Sequence, residues 1–245
     1  MEGHPTLLRS PLTQQFLYHG FYKNFNRLAP YIRGLMDEPA EAQSQRGAEL
    51  ACIAAISPLA IESEEAHATA LRLAAEAITG PKPLRRGAAR VYAVNRHQGS
   101  SQECLVGLTR LSDDEDEGVQ NLVSGLFSKL RGEHLIARRN FLGAFASSRS
   151  LAQGMRAFSK YLWEYGLLEP ATTLSLIATA LNNPHDPRDR FNYSGGEKLI
   201  RVVLRIYADS GSTNAIRRAS MDVFDKLMER HAGSAYRVLE EWDRV

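Results

Sequence analysis

The sequence predicts an all-α fold, arranged as a solenoid of about six helix pairs. Three observations lead to this prediction. Strand signals are nearly absent, because no run of alternating apolar and polar residues is bounded by Asn-Gly or Asp-Gly. Apolar residues recur instead at the spacing of a helix face, for example Val123, Leu126 and Leu130. Helices of this kind return every 34 to 42 residues along the 245-residue chain, which is the period of helical-repeat proteins.

The repeats are predicted to fill nearly the whole chain. The second helices of the six pairs are predicted to begin near Arg46, Arg86, Gln120, Met155, Lys198 and Ala235. Residues 1–26 are predicted to form a capping or docking helix, and residues 27–245 the repeats, so that residues 1–245 make a single domain. Each pair exposes an apolar stripe that it cannot cover alone, and stacking successive pairs buries these stripes in a continuous core.

Several of these pairs carry residues that are typical of one repeat family. Pro30 lies within a first helix and Asp113 lies in an inter-helix turn. Arg46 and Arg86 begin second helices. At these positions the chain resembles HEAT and armadillo repeats, closely over residues 27–130 and loosely beyond. The resemblance implies a curved, right-handed solenoid, and it implies that the two arginines pair with acids in the turns of adjacent repeats.

The C-terminal stretch has a second resemblance. Around Met221–Asp225, the order of helices in residues 198–244 looks like the terminal helical region of large bacterial STAND-type or related ATPases. That resemblance implies a sensor or scaffold region that recognises a partner protein and works with a separate nucleotide-binding module.

A short glycine motif looks like the signature sequence of ABC-type ATPases. It spans Tyr193–Glu197, but no G-x-x-x-x-G-K-[ST] loop accompanies it. We therefore predict a helix start in which Ser194 is the N-cap and Glu197 is the third helical residue of a capping box.

Composition sets the broad class of protein. The chain is 44% apolar and 24% charged with a net charge of +2, which is ordinary for a soluble protein and too small a charge to identify a partner. Its apolar stretches fall far short of the roughly 18 residues of a membrane span. No secretory pattern opens the sequence, and Cys52 and Cys104 fit buried reduced thiols. We expect a bacterial, cytoplasmic protein with no membrane partner.

No catalytic signature emerges from the polar residues. The seven histidines form no H-x-x-x-H or H-E-x-x-H pair. The run Asp113–Glu117 lacks the alternating ligands of a calcium loop and is predicted to be a solvated acidic turn at a helix N-terminus. The sequence therefore predicts no catalytic residue, no metal site and no cofactor.

One enzyme interpretation remains as an alternative on this architecture. Alkylpurine DNA glycosylases are HEAT-like proteins of similar size that use aromatic residues and a carboxylate beside a basic concave surface. The tryptophan–acid neighbours here are Trp163–Glu164 and Trp242–Asp243. Trp163 is interpreted as a core residue beside Phe158 and Leu162. The resemblance is one of fold, from which function does not follow.

Charge is distributed unevenly along the chain. Residues 37–78 hold eight acids and two bases, whereas residues 80–100 hold five bases and no acid, and residues 128–160 hold seven bases and one acid. Because second helices line one face of a solenoid, their arginines are expected to converge in a basic strip. The predicted binding residues are Arg85, Arg86, Arg90, Arg138, Arg139, Arg156, Arg201 and Arg205, with Tyr92 and Tyr207 as aromatic anchors if exposed. The alternative is that these arginines pair within the fold or remain solvated.

The function expected from these features is a non-enzymatic scaffold or sensor that binds a macromolecule along a curved, partly basic face. The favoured partner is a protein, and the alternative is nucleic acid, with or without glycosylase chemistry. The polar loop Asn182–Asn192 is a second candidate contact surface, with a loose insertion as its alternative.

Overall fold

The protein is all-helical wherever its structure is described. The computed structural model describes residues 29–30, 33–34, 64–94, 102–128, 130, 135, 138–185 and 195–242. Within these ranges the regular secondary structure is helical, which confirms the all-α prediction. Arg46, Cys52 and the segment 1–26 lie outside the described residues.

The described helices follow one another with short connections. They are α1 (Glu64–Ala77), α2 (Lys82–Val94), α3 (Gln102–Leu111), α4 (Glu117–Gly125), α5 (Arg139–Ala146), α6 (Ser150–Tyr165), α7 (Pro170–Leu181), α8 (Gly196–Ala208) and α9 (Asn214–Trp242). Short 3₁₀ turns at Leu126–Ser128 and Gly166–Leu168 continue α4 and α6. The predicted second and third helix pairs correspond to α1–α2 and α3–α4.

The last helix is longer than predicted. The separate helix expected near Ala235 is part of α9, which has 29 residues. At its start, Arg217 Nη2 contacts the carbonyl oxygen of Asp209 across the turn from α8, as in an antiparallel pair. Near its end, Arg237 pairs with Glu197 and Glu241 pairs with Arg201. Both of those pairs span 40 residues, which is a parallel register with α8. We infer that α9 bends between its two parts, and Gly233 with Ser234 is a sequence that permits such a bend.

The chain divides into two compact units. The first unit contains α1 to α4, and the second contains residues 112–115 together with α5 to α9. The arrangement of all repeats in one solenoid domain over residues 1–245 stays a prediction.

In the first unit, α2 packs against α1, α3 and α4. Small residues allow this close packing, since Ala88 and Ala89 of α2 are buried together with Ala74 and Ala77 of α1. Cys104 is also buried, as its sequence context predicted.

In the second unit, large aromatic rings form the core. The Phe127 ring lies 4.4 Å from the Phe145 ring and 5.7 Å from the Phe158 ring, and Phe141 and Tyr161 complete the cluster. Burial of this much ring area drives the packing of α5 against α6 and of the 3₁₀ turn against both.

Buried polar groups tie the ends of the helices in the second unit. Asn183, just after α7, donates through Nδ2 to the carbonyl oxygens of Ala146 and Ser148 at 3.0 and 2.8 Å. Ser150 Oγ donates to the carbonyl oxygen of Ser112 at 2.5 Å. These bonds satisfy carbonyls that a helix end or a turn would leave without a partner.

Candidate functional site

Arg86 and Lys82 pair with the buried carboxylate of Asp116 in the first unit, and we call these three residues the Asp116 node. Arg86 Nε and Nη2 donate to the two carboxylate oxygens of Asp116 at 2.5 and 2.8 Å, and Lys82 Nζ lies 2.7 Å from the same carboxylate. The Asp116 side chain is 1% exposed and also accepts from the Val119 amide, which makes it the N-cap of α4. Arg86 therefore links α2 to the following helix pair, as the HEAT resemblance implied. The prediction of a solvated acidic turn is wrong for Asp116, because Arg86, Lys82 and the Val119 amide surround its carboxylate in place of solvent.

The other two arginines of α2, Arg85 and Arg90, differ from each other in their surroundings. Arg85 Nη1 donates to the carbonyl oxygen of Gly80 at 3.1 Å and so closes the turn between α1 and α2. Arg90 is exposed one turn beyond Arg86.

Tyr92 does not meet the condition for an aromatic anchor, because it is buried in the first unit. Its side chain is 4% exposed, and a Cβ added at Gly107 would lie 2.4 Å from its ring carbons. Burial raises the pKa of Tyr92 to about 12, with a smaller contribution from Cys104. Gly107 is thus a close-approach position that lets α3 pack on this ring.

Arg138 is also inaccessible, so it cannot contribute to a surface strip. It is 7% exposed and lies beside Tyr161 in the second unit. Burial raises the pKa of the Tyr161 hydroxyl, and the positive charge of the neighbouring Arg138 opposes that rise. The next residue, Arg139, is exposed at the first position of α5.

The start of α8 differs from the predicted capping box. The N-cap is Gly195, no side chain caps the helix, and Glu197 is its second residue. Glu197 pairs with Arg237 of α9 instead, and Ser194 lies outside the described residues. A Cβ at Gly195 would lie 2.5 Å from Ser159 Oγ, so the glycine is required by the close approach of α6.

Arg205 is held against a tryptophan. Its guanidinium carbon lies 4.1 Å from the centroid of the Trp163 ring, and its Nη1 donates to the Trp163 carbonyl oxygen at 2.9 Å. A planar guanidinium that stacks on an indole keeps its charge while it covers one face of the ring.

The two helices that carry this contact run in the same direction. The first residues of α8 lie against Met155 and Ser159 of α6, while Arg205 near the end of α8 reaches Trp163 near the end of α6. At about 100° per residue, Arg156, Lys160 and Trp163 fall within an arc of about 60° on α6. Their exposed or partly exposed side chains therefore form one stripe.

Lys198, Arg201 and Arg205 fall within an arc of about 60° on α8. We call this stripe, the stripe on α6 and the 3₁₀ turn after α6 the α6–α8 face. It comprises Arg156, Lys160, Trp163, Leu167, Leu168, Lys198, Arg201 and Arg205. Leu167 and Leu168 lie on the 3₁₀ turn that follows α6, and this turn contacts α8 beside Val202.

Cations outnumber acids on this face. Lys160 is 3.6 Å from Glu164, and Arg201 pairs with Glu241. Within the part of the chain that the structure describes, Arg156 and Lys198 form no ion pair, and Arg205 contacts Trp163 without an acid. The described carboxylates therefore leave part of the positive charge of this face without an ion-pair partner.

Exposed apolar side chains lie beside this charge. Leu168 is 63% exposed and Leu167 is 37% exposed. Tyr207 is exposed as its prediction required, but it lies two residues from Arg205, about 200° around α8. It therefore belongs to the opposite side of that helix and not to the α6–α8 face.

The structure thus brings together three of the predicted binding residues, Arg156, Arg201 and Arg205. Sequence interpretation missed Trp163, which was placed in the core with Phe158 and Leu162. Trp163 is partly exposed, about 140° around α6 from Phe158. A helical wheel of α6 would have indicated this exposure, because it places Trp163 on the same side as Arg156 and Lys160.

The loop Asn182–Asn192 is only partly described. Asn183 is buried and holds the ends of α5 and α7 as described above, so the start of this loop has a structural role. Residues 186–192 lie outside the described residues, so their predicted contact role stays a prediction.

Comparison of the chain with protein-family models, with curated proteins and with solved structures gives no match in any of the three. Among the described residues, no three His, Cys, Asp or Glu side chains are grouped as ligands for a metal ion. A search over the same residues identifies no helix with the length and apolarity of a membrane span.

Proposed function

We propose that this protein is a non-enzymatic helical module that binds a partner protein through the α6–α8 face. One observation supports the proposal: cations that have no acid partner among the described residues share this face with exposed leucines and a partly exposed tryptophan. Aromatic residues and arginines contribute most of the binding free energy in protein interfaces, especially where apolar neighbours exclude water.

The helical-repeat interpretation is part of the proposal. In the first unit, two successive helix pairs are linked by the Arg86–Asp116 ion pair, which is the type of cross-repeat contact that HEAT resemblance implies. We propose that the helix pairs of this chain stack as units of a HEAT or armadillo-like solenoid. A pre-formed helical surface keeps the entropic cost of binding low, because few side chains and no loops need to be ordered.

The test is affinity purification of the tagged full chain from its own cells, with quantification of the proteins that co-purify. We expect the double variant Arg156→Glu and Lys198→Glu to lose the partner, because it reverses two charges that no acid of the described residues neutralises. The matched control is Arg218→Glu with Lys226→Glu, which reverses two cations of α9. The control should keep the partner.

Loss of the partner with both double variants, or with neither, would contradict the proposal. Nucleic-acid binding is the alternative, and it is separated by its salt dependence. Phosphate binding weakens steeply between low and moderate salt. A duplex that binds in a mobility-shift assay with that dependence, with no protein partner recovered, would replace the proposed function.

A further inference from the structure

We infer that the α6–α8 face binds an acidic protein segment that inserts an apolar side chain between Trp163 and the leucines of the 3₁₀ turn. The inference rests on the proposed function and adds the chemistry of the partner. It follows from two features of the face, its apolar centre and its surrounding charge.

The apolar centre is held in a fixed position. Arg205 holds Trp163 from two directions, through the stack on the ring and the hydrogen bond to its backbone oxygen. Gly166 fixes the start of the 3₁₀ turn, since a Cβ there would lie 2.9 Å from Thr173 Cγ2 and 3.5 Å from Val202 Cγ1. The Thr173 hydroxyl also donates to the Gly166 carbonyl oxygen at 2.9 Å. The exposed leucines are therefore carried by a constrained backbone, and ordering them on binding costs little entropy.

Cations outnumber acids around this centre, although Glu164 follows Trp163 and Glu169 follows Leu168. Arg156 and Lys198 lie on neighbouring stripes with no acid partner among the described residues, and Arg205 adds a third positive charge. Three nearby carboxylates have cation partners, since Glu197 pairs with Arg237, Glu241 with Arg201, and Glu164 lies near Lys160, whereas Glu169 beside Leu168 has no ion pair among the described residues. A segment with carboxylates on each side of an apolar residue complements this pattern, and such complementarity raises the association rate and excludes basic partners.

Nucleic acid fits the same face less well. Single-stranded binding sites use open aromatic rings as stacking platforms, whereas Arg205 already covers one face of Trp163. The exposed Leu168 offers nothing to a phosphate, but it adds contact area for an apolar side chain. We therefore assign the face to an acidic protein segment.

The experiment uses the full chain and two pools of synthetic 12-residue peptides. In the acidic pool, half the positions are Asp or Glu and half are Leu, Ile, Val, Phe or Trp. In the basic pool, Lys or Arg replaces the acids. A 20-nucleotide oligothymidine is the third probe. We expect the wild-type protein to enrich the acidic pool and to retain neither the basic pool nor the oligonucleotide.

Enriched peptides are then measured against variants of the face. Trp163→Ala should weaken binding by about thirty-fold or more, as for a central aromatic residue of an interface. Leu168→Ser changes an exposed residue that the fold does not require, and it should weaken binding by about three-fold to ten-fold. Arg218→Glu with Lys226→Glu, the same control on α9, should leave the affinity unchanged.

Tryptophan fluorescence gives a direct signature of the contact. The chain has two tryptophans, so Trp242→Phe leaves Trp163 as the sole indole. We expect its emission to move to shorter wavelength when an enriched peptide binds, because the apolar side chain displaces water from the exposed part of the ring.

The inference fails if no acidic peptide is enriched, if the basic pool or the oligonucleotide is retained in preference, or if the enriched peptides bind Leu168→Ser and the wild type equally. Failure of the proposed function is recognised by a different experiment, the affinity purification. A partner protein that is recovered by the wild type and lost with Arg156→Glu and Lys198→Glu supports the proposed function even where the peptides overturn the acidic-segment inference.

Discussion

The two units of this protein are stabilised by different chemistry. The first packs small residues of α1 and α2 together with buried leucines, and it is cross-linked by the Asp116 node, where one buried carboxylate accepts from Arg86, lies beside Lys82 and caps α4. The second is built around an aromatic cluster, and its polar contacts tie the ends of helices. Both units contain many arginines, but Arg86 of the first unit, although half-exposed, pairs with a buried carboxylate and so contributes to the fold. In the second unit, Arg156 is exposed and Arg205 is partly exposed, and neither has an acid partner among the residues that the structure describes.

Arginine content alone therefore does not locate a binding surface. What matters is whether the fold supplies an acid for each cation. In the first unit Asp116 pairs with Arg86 while Arg90 stays exposed, and in the second unit no described acid pairs with Arg156 or Lys198.

The largest effect is expected in the aromatic cluster. Phe145→Ala removes a fully buried ring that contacts Phe127, Phe141 and Phe158, and it should lower the free energy of unfolding by about 3 to 5 kcal/mol. Hydrogen exchange followed by mass spectrometry should show faster exchange in α5 and α6. Tyr236→Ala removes an aromatic residue that is 61% exposed in the same unit and should change little. Equal losses for the two variants would show that the cluster is not the core of this unit.

The next effect is expected at the ionic node of the first unit. Asp116→Ala removes the N-cap of α4 and the acid that neutralises two half-exposed cations, so we expect a loss of about 2 to 3 kcal/mol. The loss should be smaller in high salt, which screens the ion pairs but not the cap. Hydrogen exchange should become faster in α2 and α4. The control is Glu117→Ala at the exposed neighbouring residue. An equal loss of stability there would contradict a stabilising role of the Asp116 ion pairs and cap.

Two glycine substitutions compare the stability effect of a Cβ at a tightly packed position of the first unit with that at an open position of the second. Gly107→Ala forces a Cβ to 2.4 Å from the Tyr92 ring and should destabilise the protein by about 1 to 3 kcal/mol. Gly143→Ala has no heavy atom within 4 Å of the new Cβ and should stabilise α5 by up to about 1 kcal/mol. Denaturant unfolding monitored by circular dichroism measures both. A stabilising Gly107→Ala would show that α3 does not approach Tyr92 as described.

The smallest effect at neutral pH is expected for Tyr92→Phe, which acts only in alkali. The pKa of Tyr92 is raised from 10.0 to about 12 in the folded protein, so the unfolded state loses its phenolic proton first as the pH rises. Stability from this group is therefore complete below pH 10 and is lost as the pH rises to about 12, with a slope of at most about 1.4 kcal/mol per pH unit. Tyr92→Phe should flatten the alkaline part of the stability profile, measured by denaturant unfolding at each pH. An unchanged profile would contradict the burial of this hydroxyl.

The sequence allowed much of the fold to be predicted, because helical periodicity depends on local pattern. The pairs α1–α2 and α3–α4 follow their apolar stripes, and Arg86 meets a turn acid as the HEAT resemblance implied. The helix expected at Ala235 was not separate, because α9 continues as one helix through Gly233, where the bend is inferred. The capping box at Ser194 was also wrong, because tertiary pairing of Glu197 with Arg237 replaces local capping.

The site was less predictable than the fold. Burial removed Tyr92 and Arg138 from the candidate surface, and burial of a residue with a long side chain depends on neighbours that are distant in sequence. The same dependence hid the role of Arg205, whose partner Trp163 lies 42 residues earlier in the chain. Only the position of Trp163 on the wheel of α6, beside Arg156 and Lys160, was available from the sequence.

Site-specific photocrosslinking in living cells tests the binding role of the α6–α8 face most directly. A photoreactive residue is placed at position 156 or 198 on the face, and at position 218 or 226 on α9 as the control. The proposal predicts that positions 156 and 198 crosslink to the same partner protein and that the α9 positions do not crosslink to it. Crosslinks only from α9, or none to a protein from either face position, would contradict it.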